Sequence, residues 1–329
     1  MKILVLGGTI FVGRHIVEAA LQRGHEVTLF NRGRTDTTLF SNVERIIGDR
    51  SVSLDNLKGR SWDVIIDTSG YLPSVVRKSC EALKSSCELY VFISTGSVYK
   101  DKSKPGISED FETLIPKDPD ALEWADETYG ELKSGCEVVV QNTFADRALI
   151  IRPGVVVGPY DPTDRFTYWP VRVFSGGAVL APGHPESPVQ FIDARDLADW
   201  TILLCQSKAT GIYNAIGPDY RLTMSKLLND CKTAAGSDAH FVWVSDENLL
   251  QHNVTPWAEM PCWIPANSEA SGMAERNNSK GVKAGLKFRP LLETVADTLA
   301  WWHREKNGCD LKAGMSKERE EKILKATAL

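Results

Sequence analysis

The N-terminal residues 1–34 constrain the fold of this chain more than any other part of its sequence. The apolar run Lys2–Leu6 has the length of a β-strand, and a glycine-rich turn, residues 7–13, follows it directly. Residues 14–23 carry apolar side chains at helical spacing, and residues 25–30 have the composition of a second strand. This order of elements within about 30 residues is typical of the βαβ unit that binds dinucleotides, because its glycines and helix N-terminus accommodate a pyrophosphate.

One position in the turn departs from the usual pattern. Ile10 stands where the G-x-x-G-x-x-G motif has its middle glycine. A β-branched side chain at this position must turn away from the phosphates or displace them slightly. The order of the elements still predicts a dinucleotide site at the N-terminus.

The residues after the second strand bear on the choice between NAD and NADP. An acidic residue at this place would bond the ribose 2′-hydroxyl, whereas arginine accommodates a 2′-phosphate. The chain has Asn31, Arg32 and Arg34 here and no Asp or Glu. NADP is therefore favoured over NAD. The alternative, that both arginines are solvated loop charges, stays open at this point.

Composition argues against several classes of protein. With 329 residues, 43% of them hydrophobic, the chain is long enough for two domains or one large one with a sizeable core. The net charge of −5 argues against a nucleic-acid surface, and no apolar run reaches the length of a membrane span. The seven cysteines and six histidines are dispersed without metal-ligand spacing. This dispersal predicts reduced thiols and no metal site. Because the N-terminus is a strand and not a signal peptide, we expect a cytoplasmic protein.

Further strands bring polar and small residues to the same edge of the predicted sheet. Residues 43–49 form a weaker third strand, and Asp49 at its end is expected near the adenine. The strand Trp62–Asp67 ends at three small residues where a backbone can pass close to a ligand: Thr68, Ser69 and Gly70. Residues 89–93 form a fifth strand that ends at Thr95. In open α/β sheets, ligands bind in the crevice beyond such strand ends.

A tyrosine and a lysine at helical spacing supply the chemistry. Tyr129 and Lys133 are four residues apart in a predicted helix, so they share one face. A free tyrosine, with a pKa of about 10, is a poor base at neutral pH. A nearby lysine cation lowers that pKa and lets the phenol exchange protons with a carbinol or carbonyl oxygen. Thr95 is expected to hydrogen-bond the same oxygen.

These motifs together resemble the extended short-chain dehydrogenase/reductase superfamily, in its NAD(P)-dependent epimerase/dehydratase group. The likeness covers most of the chain: residues 7–13, 67–70, 94–99, 129–133, 152–154, 157–159 and 191–198. It implies an α/β fold, a Rossmann-type doubly wound parallel sheet with a smaller mixed α/β substrate-binding lobe.

The resemblance also implies roles for individual residues. Thr95, Tyr129 and Lys133 would be the catalytic three, and Lys133 would also hold the nicotinamide ribose. Pro153 would mark where the chain leaves the sheet near the nicotinamide. The residues expected along the pyrophosphate are Gly7, Thr9, Phe11, Val12 and Gly13.

The predicted domains follow from the same likeness. Residues 1–158 and 189–217 would form the NAD(P)-binding Rossmann domain. Residues 159–188 and 218–329 would form the substrate-binding lobe. A monomer or a homodimer is expected.

Departures from the family pattern limit the reaction and the substrate. Related dehydratases have Asp-Glu after the catalytic threonine, whereas this chain has Gly96 and Ser97, which argues against 4,6-dehydration. Many sugar-nucleotide epimerases have a diphosphate-binding arginine where this chain has Val189. The candidate substrate residues are Ser97, Arg165, Trp169 and Gln190. A small hydroxyl or carbonyl compound, uncharged or singly charged, is favoured over a sugar nucleotide, and reduction and epimerisation stay equally open.

A second hypothesis comes from another class of protein. The branch of the superfamily with a non-glycine middle position is also similar to chloroplast RNA-binding proteins that keep the fold without dehydrogenase activity. A catalytically inactive RNA-binding or regulatory NADP-binding protein is therefore the alternative. The acidic charge and the intact Thr95, Tyr129 and Lys133 favour the enzyme.

Overall fold

The fold is α/β. A computed structural model describes residues 1–306 and 308–327. Its strands are β1 (Lys2–Leu6), β2 (Glu26–Asn31), β3 (Glu44–Ile47), β4 (Trp62–Asp67), β5 (Cys87–Ile93), β6 (Ala148–Pro153), β7 (Val156–Val157), β8 (Ala178–Pro182), β9 (Ile192–Asp193), β10 (Gly211–Ala215) and β11 (His240–Val244). Its helices are α1 (Phe11–Gln22), α2 (Pro73–Leu83), α3 (Asp126–Phe144), α4 (Tyr168–Phe174), α5 (Ala194–Gln206), α6 (Met224–Ala235), α7 (Asp246–Gln251), α8 (Ser279–Lys283), α9 (Leu291–Glu305) and α10 (Lys317–Thr327).

Seven strands form one parallel sheet in the order β10-β6-β5-β4-β1-β2-β3. From β1 the chain moves outward in one direction to β2 and β3, and then returns to β4 and continues the other way. The strand order therefore reverses between β1 and β4, which is the topological switch point of a doubly wound sheet. In register, Leu6 at the end of β1 pairs with Phe30 on one side and with Asp67 on the other.

Helices cover both faces of this sheet. Ile3 and Val5 of β1 pack in one core with α1 and α5, while Leu4 and Leu6 pack in a second core with α2 and α3. Alternation of this kind, with both faces apolar, is typical of strands in a parallel sheet that is buried on both sides. The predicted Rossmann-type sheet is confirmed.

A third core lies in the C-terminal half of the chain. The parallel pair β8–β11 packs there with α4, α6 and α9, around the buried side chains of Trp169 and Trp263. Between α8 and α9 the chain also contacts the elements of the large sheet, because Leu286 packs beside α5 and the indole of Trp200 donates to Ala284 O at 3.1 Å. Residues 284–288 thus pack on the Rossmann side, within the range 218–329 expected for the substrate-binding lobe.

None of the helices in the described part of the chain is long and apolar enough to cross a membrane. Among the same residues, no group of three or more His, Cys, Asp or Glu side chains is arranged to hold a metal ion.

Candidate active site

A cavity of about 930 Å³ opens at the carboxyl edge of the sheet, over the switch point. It begins at the glycine turn, passes the ends of β2, β4 and β5, and reaches the C-terminal part of the chain. Most of the residues predicted for the site line it: Gly7, Thr9, Phe11, Val12, Gly13, Asn31, Arg32, Arg34, Asp49, Thr68, Ser69, Thr95, Ser97, Tyr129, Lys133, Pro153 and Arg165.

The glycine turn approaches the end of β4 so closely that side chains would not fit. Gly7 has a φ of +106°, and a Cβ there would lie 2.6 Å from Thr68 Oγ1. The N-terminus of α1 has no side-chain cap and no acidic residue in its first turn. Its first N–H groups therefore remain available to an anion. The Ile10 side chain is 56% exposed and is one of the residues that line the cavity.

Asn31 ties the end of β2 to the glycine turn. Its Nδ2 donates to Gly7 O at 3.0 Å, and its Oδ1 accepts from Gly33 N at 3.0 Å. This places the exposed side chains of Arg32 and Arg34 at the rim of the cavity. Asp49 lies across from them, and its pKa is lowered by hydrogen bonds from Ser51.

Helix α3 presents Tyr129 and Lys133 to the end of β5 because a glycine stands between them. A Cβ on Gly130 would lie 2.4 Å from Ser97 O. Because Gly130 has no side chain, the helix packs directly on the loop that follows Thr95. The predicted Tyr-Gly-Glu-Leu-Lys stretch is helical, and both of its polar ends reach the cavity.

Lys133 is buried, at 3% exposure, and its ammonium is held by the backbone. Its Nζ donates to Ile93 O at 2.7 Å and to Gly70 O at 2.8 Å. It also lies 4.0 Å from the centre of the Phe92 ring. Burial lowers the pKa of Lys133 to about 8. An ammonium has three donors, so one remains for a ligand in the cavity.

Tyr129 differs from the expectation in its acidity. Burial raises the pKa of Tyr129 to about 12, although a hydrogen bond with Thr95 and the charge of Arg165 act in the opposite direction. The expected lowering by Lys133 is not found, because that ammonium is turned to the carbonyls of Gly70 and Ile93. The phenol is therefore protonated at neutral pH.

Thr95 and Ser97 form the polar floor beside this phenol. Thr95 Oγ1 accepts from Ser97 N at 3.1 Å and lies 3.3 Å from Ser97 Oγ, to which it donates. Thr95 is the N-cap of the short turn that follows β5, so its hydroxyl is fixed by local backbone geometry. Two hydroxyls and one phenol thus line the cavity beyond the end of β5.

The model of the NAD dependent epimerase/dehydratase family matches residues 3–216 of the chain. The chain belongs to this family. The predicted family, and with it the class of NAD-dependent enzymes, is confirmed.

Two curated proteins of different kinds are similar to this family member. A chloroplast stem-loop binding protein of 41 kDa from Arabidopsis thaliana is 27% identical over 256 residues, which cover 71% of this chain and 63% of that protein. The chain thus spans less than two thirds of the length of this relative. UDP-N-acetyl-alpha-D-glucosaminuronate decarboxylase from Bacillus cytotoxicus is 23% identical over 340 residues, 93% of this chain and 99% of that protein.

Solved structures agree in fold. UDP-glucuronic acid 4-epimerase from Bacillus cereus, in complex with UDP-glucuronic acid and NAD, has a TM-score of 0.65 at 19% identity, covering 92% of this chain and 99% of its own. UDP-glucose 4-epimerase from Thermus thermophilus, in complex with NAD, has a TM-score of 0.64 at 20% identity, covering 93% and 100%. At these identities the likeness establishes the architecture.

Three of the predicted site residues do not line the cavity. Trp169 is fully buried in the smaller core, where its Nε1 donates to Pro261 O at 2.7 Å, so the expectation that it walls the substrate is wrong. Gln190 is turned to the backbone of Arg276 instead of the substrate space. Gly70 is buried behind the wall and contributes its carbonyl to Lys133.

The cavity also contains residues that sequence patterns did not single out. Tyr71 and Trp124 stack with ring centres 5.4 Å apart, and both rings lie beside Tyr129. Arg276 and Trp257 reach the cavity from the C-terminal part of the chain. Of these, only Trp257 had a signal in the sequence, because the apolar, proline-rich segment around it fits a pocket wall.

Two buried ion pairs support this edge of the sheet. Arg50 forms a two-pronged pair with Asp67, at 2.6 and 2.7 Å, and Asp67 also accepts from the Tyr90 hydroxyl at 3.0 Å. Burial opposes the charge of Asp67, but the Arg50 charge and hydrogen bonds, with the hydrogen bond from Ser69 N, together lower the pKa of that carboxyl. Arg152 pairs with Glu137 of α3, Nη2 to Oε2 at 2.7 Å. These pairs fix α3 and the end of β4 at the site.

Proposed function

We propose that the protein is an NADP-preferring oxidoreductase or epimerase that transfers a hydride at a hydroxyl or carbonyl carbon. The observation that carries the proposal is the meeting of Thr95, Tyr129 and Lys133 in a cavity that starts at the glycine turn. Tyr129 is the general acid/base, Thr95 bonds the same substrate oxygen, and Lys133 holds the nicotinamide ribose.

The residues present fit a dinucleotide. The uncapped start of α1 and the missing Cβ atoms at Gly7 and Gly13 provide room and donors for the pyrophosphate. The remaining donor of Lys133 suits a ribose hydroxyl. A bound nicotinamide would supply or accept the hydride, while the protein positions it and handles the proton.

Tyr129 carries the proton that a reduction needs. With a pKa of about 12, the phenol is protonated at neutral pH, as an ordinary tyrosine is. A carbonyl oxygen that becomes a hydroxyl needs such a donor, and Thr95 provides a second hydrogen bond to the same oxygen. We therefore propose that Tyr129 protonates the oxygen of a carbonyl as a hydride reaches its carbon, which completes a net reduction. In an epimerisation, a hydroxyl substrate would first lose a hydride and a proton to become a ketone, and the hydride would then return to the other face.

The preference for NADP rests on Arg32 and Arg34. Both side chains stand at the rim of the cavity, next to the loop that Asn31 holds to the glycine turn. Two guanidinium groups at this place support binding of a 2′-phosphate. The similar epimerase structures contain NAD, so the cofactor is the first point to measure.

The proposed substrate is a small carbonyl or hydroxyl compound with no charge or a single charge. Val189, at the position of the usual diphosphate arginine, is buried in the smaller core and presents no cation to the cavity. Similar proteins bind UDP-sugars, so a sugar nucleotide is the competing substrate class. Calorimetry with UDP and dTDP on the NADP-loaded protein separates the two, because micromolar binding of either nucleotide contradicts a small substrate.

A stem-loop binding protein is the second candidate function, because one relative at 27% identity carries that name. The net charge of −5 opposes it, since most nucleic-acid affinity comes from cationic contacts to phosphates. RNA retention that falls steeply with salt, in a protein that does not quench NADPH fluorescence, would favour this candidate.

The enzyme is tested by a metabolite screen that follows NADPH oxidation. On any substrate found, Tyr129→Phe should remove turnover while leaving cofactor affinity nearly intact, because it deletes only the hydroxyl. The matched control is Tyr220→Phe, a half-exposed tyrosine outside the cavity, which should keep full turnover. Near-normal kcat in Tyr129→Phe would refute the mechanism.

A further inference from the structure

Arg276 is a buried cation. It is 4% exposed, yet it lines the cavity. Among the described residues, its Nε has no hydrogen-bond partner and no carboxylate forms an ion pair with its guanidinium. Burying an uncompensated charge is costly, so such a group is retained where a ligand supplies the counter-charge.

The guanidinium lies at the reacting end of the cavity. A Cβ on Gly96 would be 1.5 Å from Arg276 Nη1, and a Cβ on Gly154 would be 2.5 Å from its Nη2. Gly96 follows Thr95 directly, and Gly154 follows Pro153. Nη1 and Nη2 of the guanidinium therefore lie beside the proposed catalytic threonine, and not at the glycine turn where a cofactor pyrophosphate is expected.

The side chain of Gln190 fixes the backbone of Arg276. Gln190 Oε1 accepts from Arg276 N at 2.7 Å, and Gln190 Nε2 donates to Arg276 O at 3.0 Å. This pair of bonds sets where the side chain begins, so Gln190 is a positioning residue. Burial lowers the pKa of Arg276 to about 10, which still leaves the guanidinium charged at neutral pH.

The other cations of the cavity are less suited to receive an anion at this point. Arg165 donates from Nε to Thr163 Oγ1 at 3.0 Å and shares its surroundings with the carboxyl of Asp161. Lys102 lies near Arg276, but burial and the Arg276 charge lower the pKa of Lys102 and so disfavour its charged form. The positive charges of Lys102 and Arg276 add to one another, and this end of the cavity therefore favours an anion.

We propose that Arg276 binds a carboxylate of the substrate, next to the carbon at which the hydride is transferred. The guanidinium is planar and offers two parallel N–H donors, which match the two oxygens of a carboxylate. The inference rests on the proposed function for the position of the reacting carbon. It deepens that function by giving the substrate class: a carbonyl or hydroxyl compound with a carboxylate close to the reacting centre.

The experiment measures binding without turnover. The probes are three unreactive or slowly reacting carboxylates with their uncharged amides: acetate and acetamide, oxamate and oxamide, glucuronate and glucuronamide. Each is titrated at constant ionic strength into the full-length protein, with and without NADP⁺, and binding is followed by calorimetry and by the rise in Tm. At least one carboxylate should bind the wild type about tenfold or more tightly than its amide.

Three variants assign the effect. Arg276→Met should remove the advantage of the carboxylate, and Arg276→Lys, which keeps the charge and loses the fork, should keep only part of it. Tyr129→Phe should keep the advantage of the carboxylate over its amide, even where it weakens both ligands, so a failed catalytic assignment and a failed anion site give different results. Without added ligand, Arg276→Met should have a Tm no lower than that of the wild type, because an uncompensated buried charge is removed.

Several results would overturn the proposal. One is equal binding of carboxylates and amides to the wild type. Another is that Arg165→Met removes the tighter binding of the carboxylate while Arg276→Met keeps it. Inorganic phosphate binding through Arg276 with no carboxylate binding would also contradict it. A large fall in the Tm of both Arg276 variants without added ligand would show that the guanidinium serves folding.

Discussion

Lys133→Met tests whether the protein holds a charged lysine in its interior for function. The ammonium is 3% exposed and is bonded only to two backbone carbonyls, those of Gly70 and Ile93. Its pKa falls from 10.5 to about 8 because burial disfavours the charged form. Methionine has a similar shape and carries no charge, so the substitution removes the buried cation with little change in volume.

The magnitude follows from the two pKa values. Between about pH 8 and pH 10.5 the folded protein has lost the Lys133 proton and the unfolded chain still holds it. The unfolded state binds more protons in this window, so the free energy of unfolding rises with pH. At 1.36 kcal/mol for each pH unit, the rise is about 3 kcal/mol. Below pH 8 both states are protonated, and the full cost of burial remains.

Urea unfolding of the wild type and of Lys133→Met, at pH 7 and at pH 10.5, measures this rise. The stability of the wild type relative to the variant should increase by about 3 kcal/mol between the two pH values. Lys280→Met is the matched control, because Lys280 also donates to a carbonyl (Ile212 O, 2.7 Å) and lies over an aromatic ring, but is exposed. If the difference in the free energy of unfolding between the wild type and Lys133→Met changes by less than about 1 kcal/mol between pH 7 and pH 10.5, Lys133 is not held as a buried charge.

Two further predictions concern the cofactor and the framework. Replacing Arg32 and Arg34 together with alanine should weaken NADP by about tenfold or more and NAD much less, since only NADP loses charge-assisted bonds; equal weakening in fluorescence titrations would contradict the assignment. Asp67→Asn should lower the free energy of unfolding by about 3–5 kcal/mol, because it leaves Arg50 charged and buried. The Asp67 pKa is lowered in the folded protein, so its stabilisation should be present above about pH 4 and lost as pH falls further, and this acid dependence should be absent from the variant.

Local sequence signals were sufficient for the first strands of the large sheet. The strands Lys2–Leu6 and Trp62–Asp67 have the predicted bounds, and a helix follows the glycine turn as expected. In these segments the apolar spacing agrees with the burial that the fold imposes. Strand β6 ends at Pro153, where the chain leaves the sheet, and residues 156–157 then pair with β9.

The substrate end was harder to predict because its elements are short. Helix α4 lies in a stretch without clear periodicity: Tyr168, Trp169 and Val173 are buried in one core, and the exposed residue at its end, Phe174, is also apolar. A seven-residue helix of this composition has no amphipathic pattern to detect. The aromatic nature of Trp169 suggested a pocket wall, but neighbours distant in sequence decide its burial.

The departures from the family pattern are connected in the three-dimensional structure. A cation at the position of Val189 would be enclosed by the apolar core of the smaller lobe, so valine fits that environment. The next residue, Gln190, instead fixes the backbone of Arg276, 86 residues further along the chain. Gly96, which takes the place of an acidic residue in dehydratases, leaves the space that the Arg276 side chain fills. A side chain at Gly96 would collide with the guanidinium, and an acidic one would neutralise it. The valine at position 189, the arginine at position 276 and the glycine between the proposed catalytic threonine and Ser97 therefore form one coupled arrangement, which places the positive charge beside Thr95.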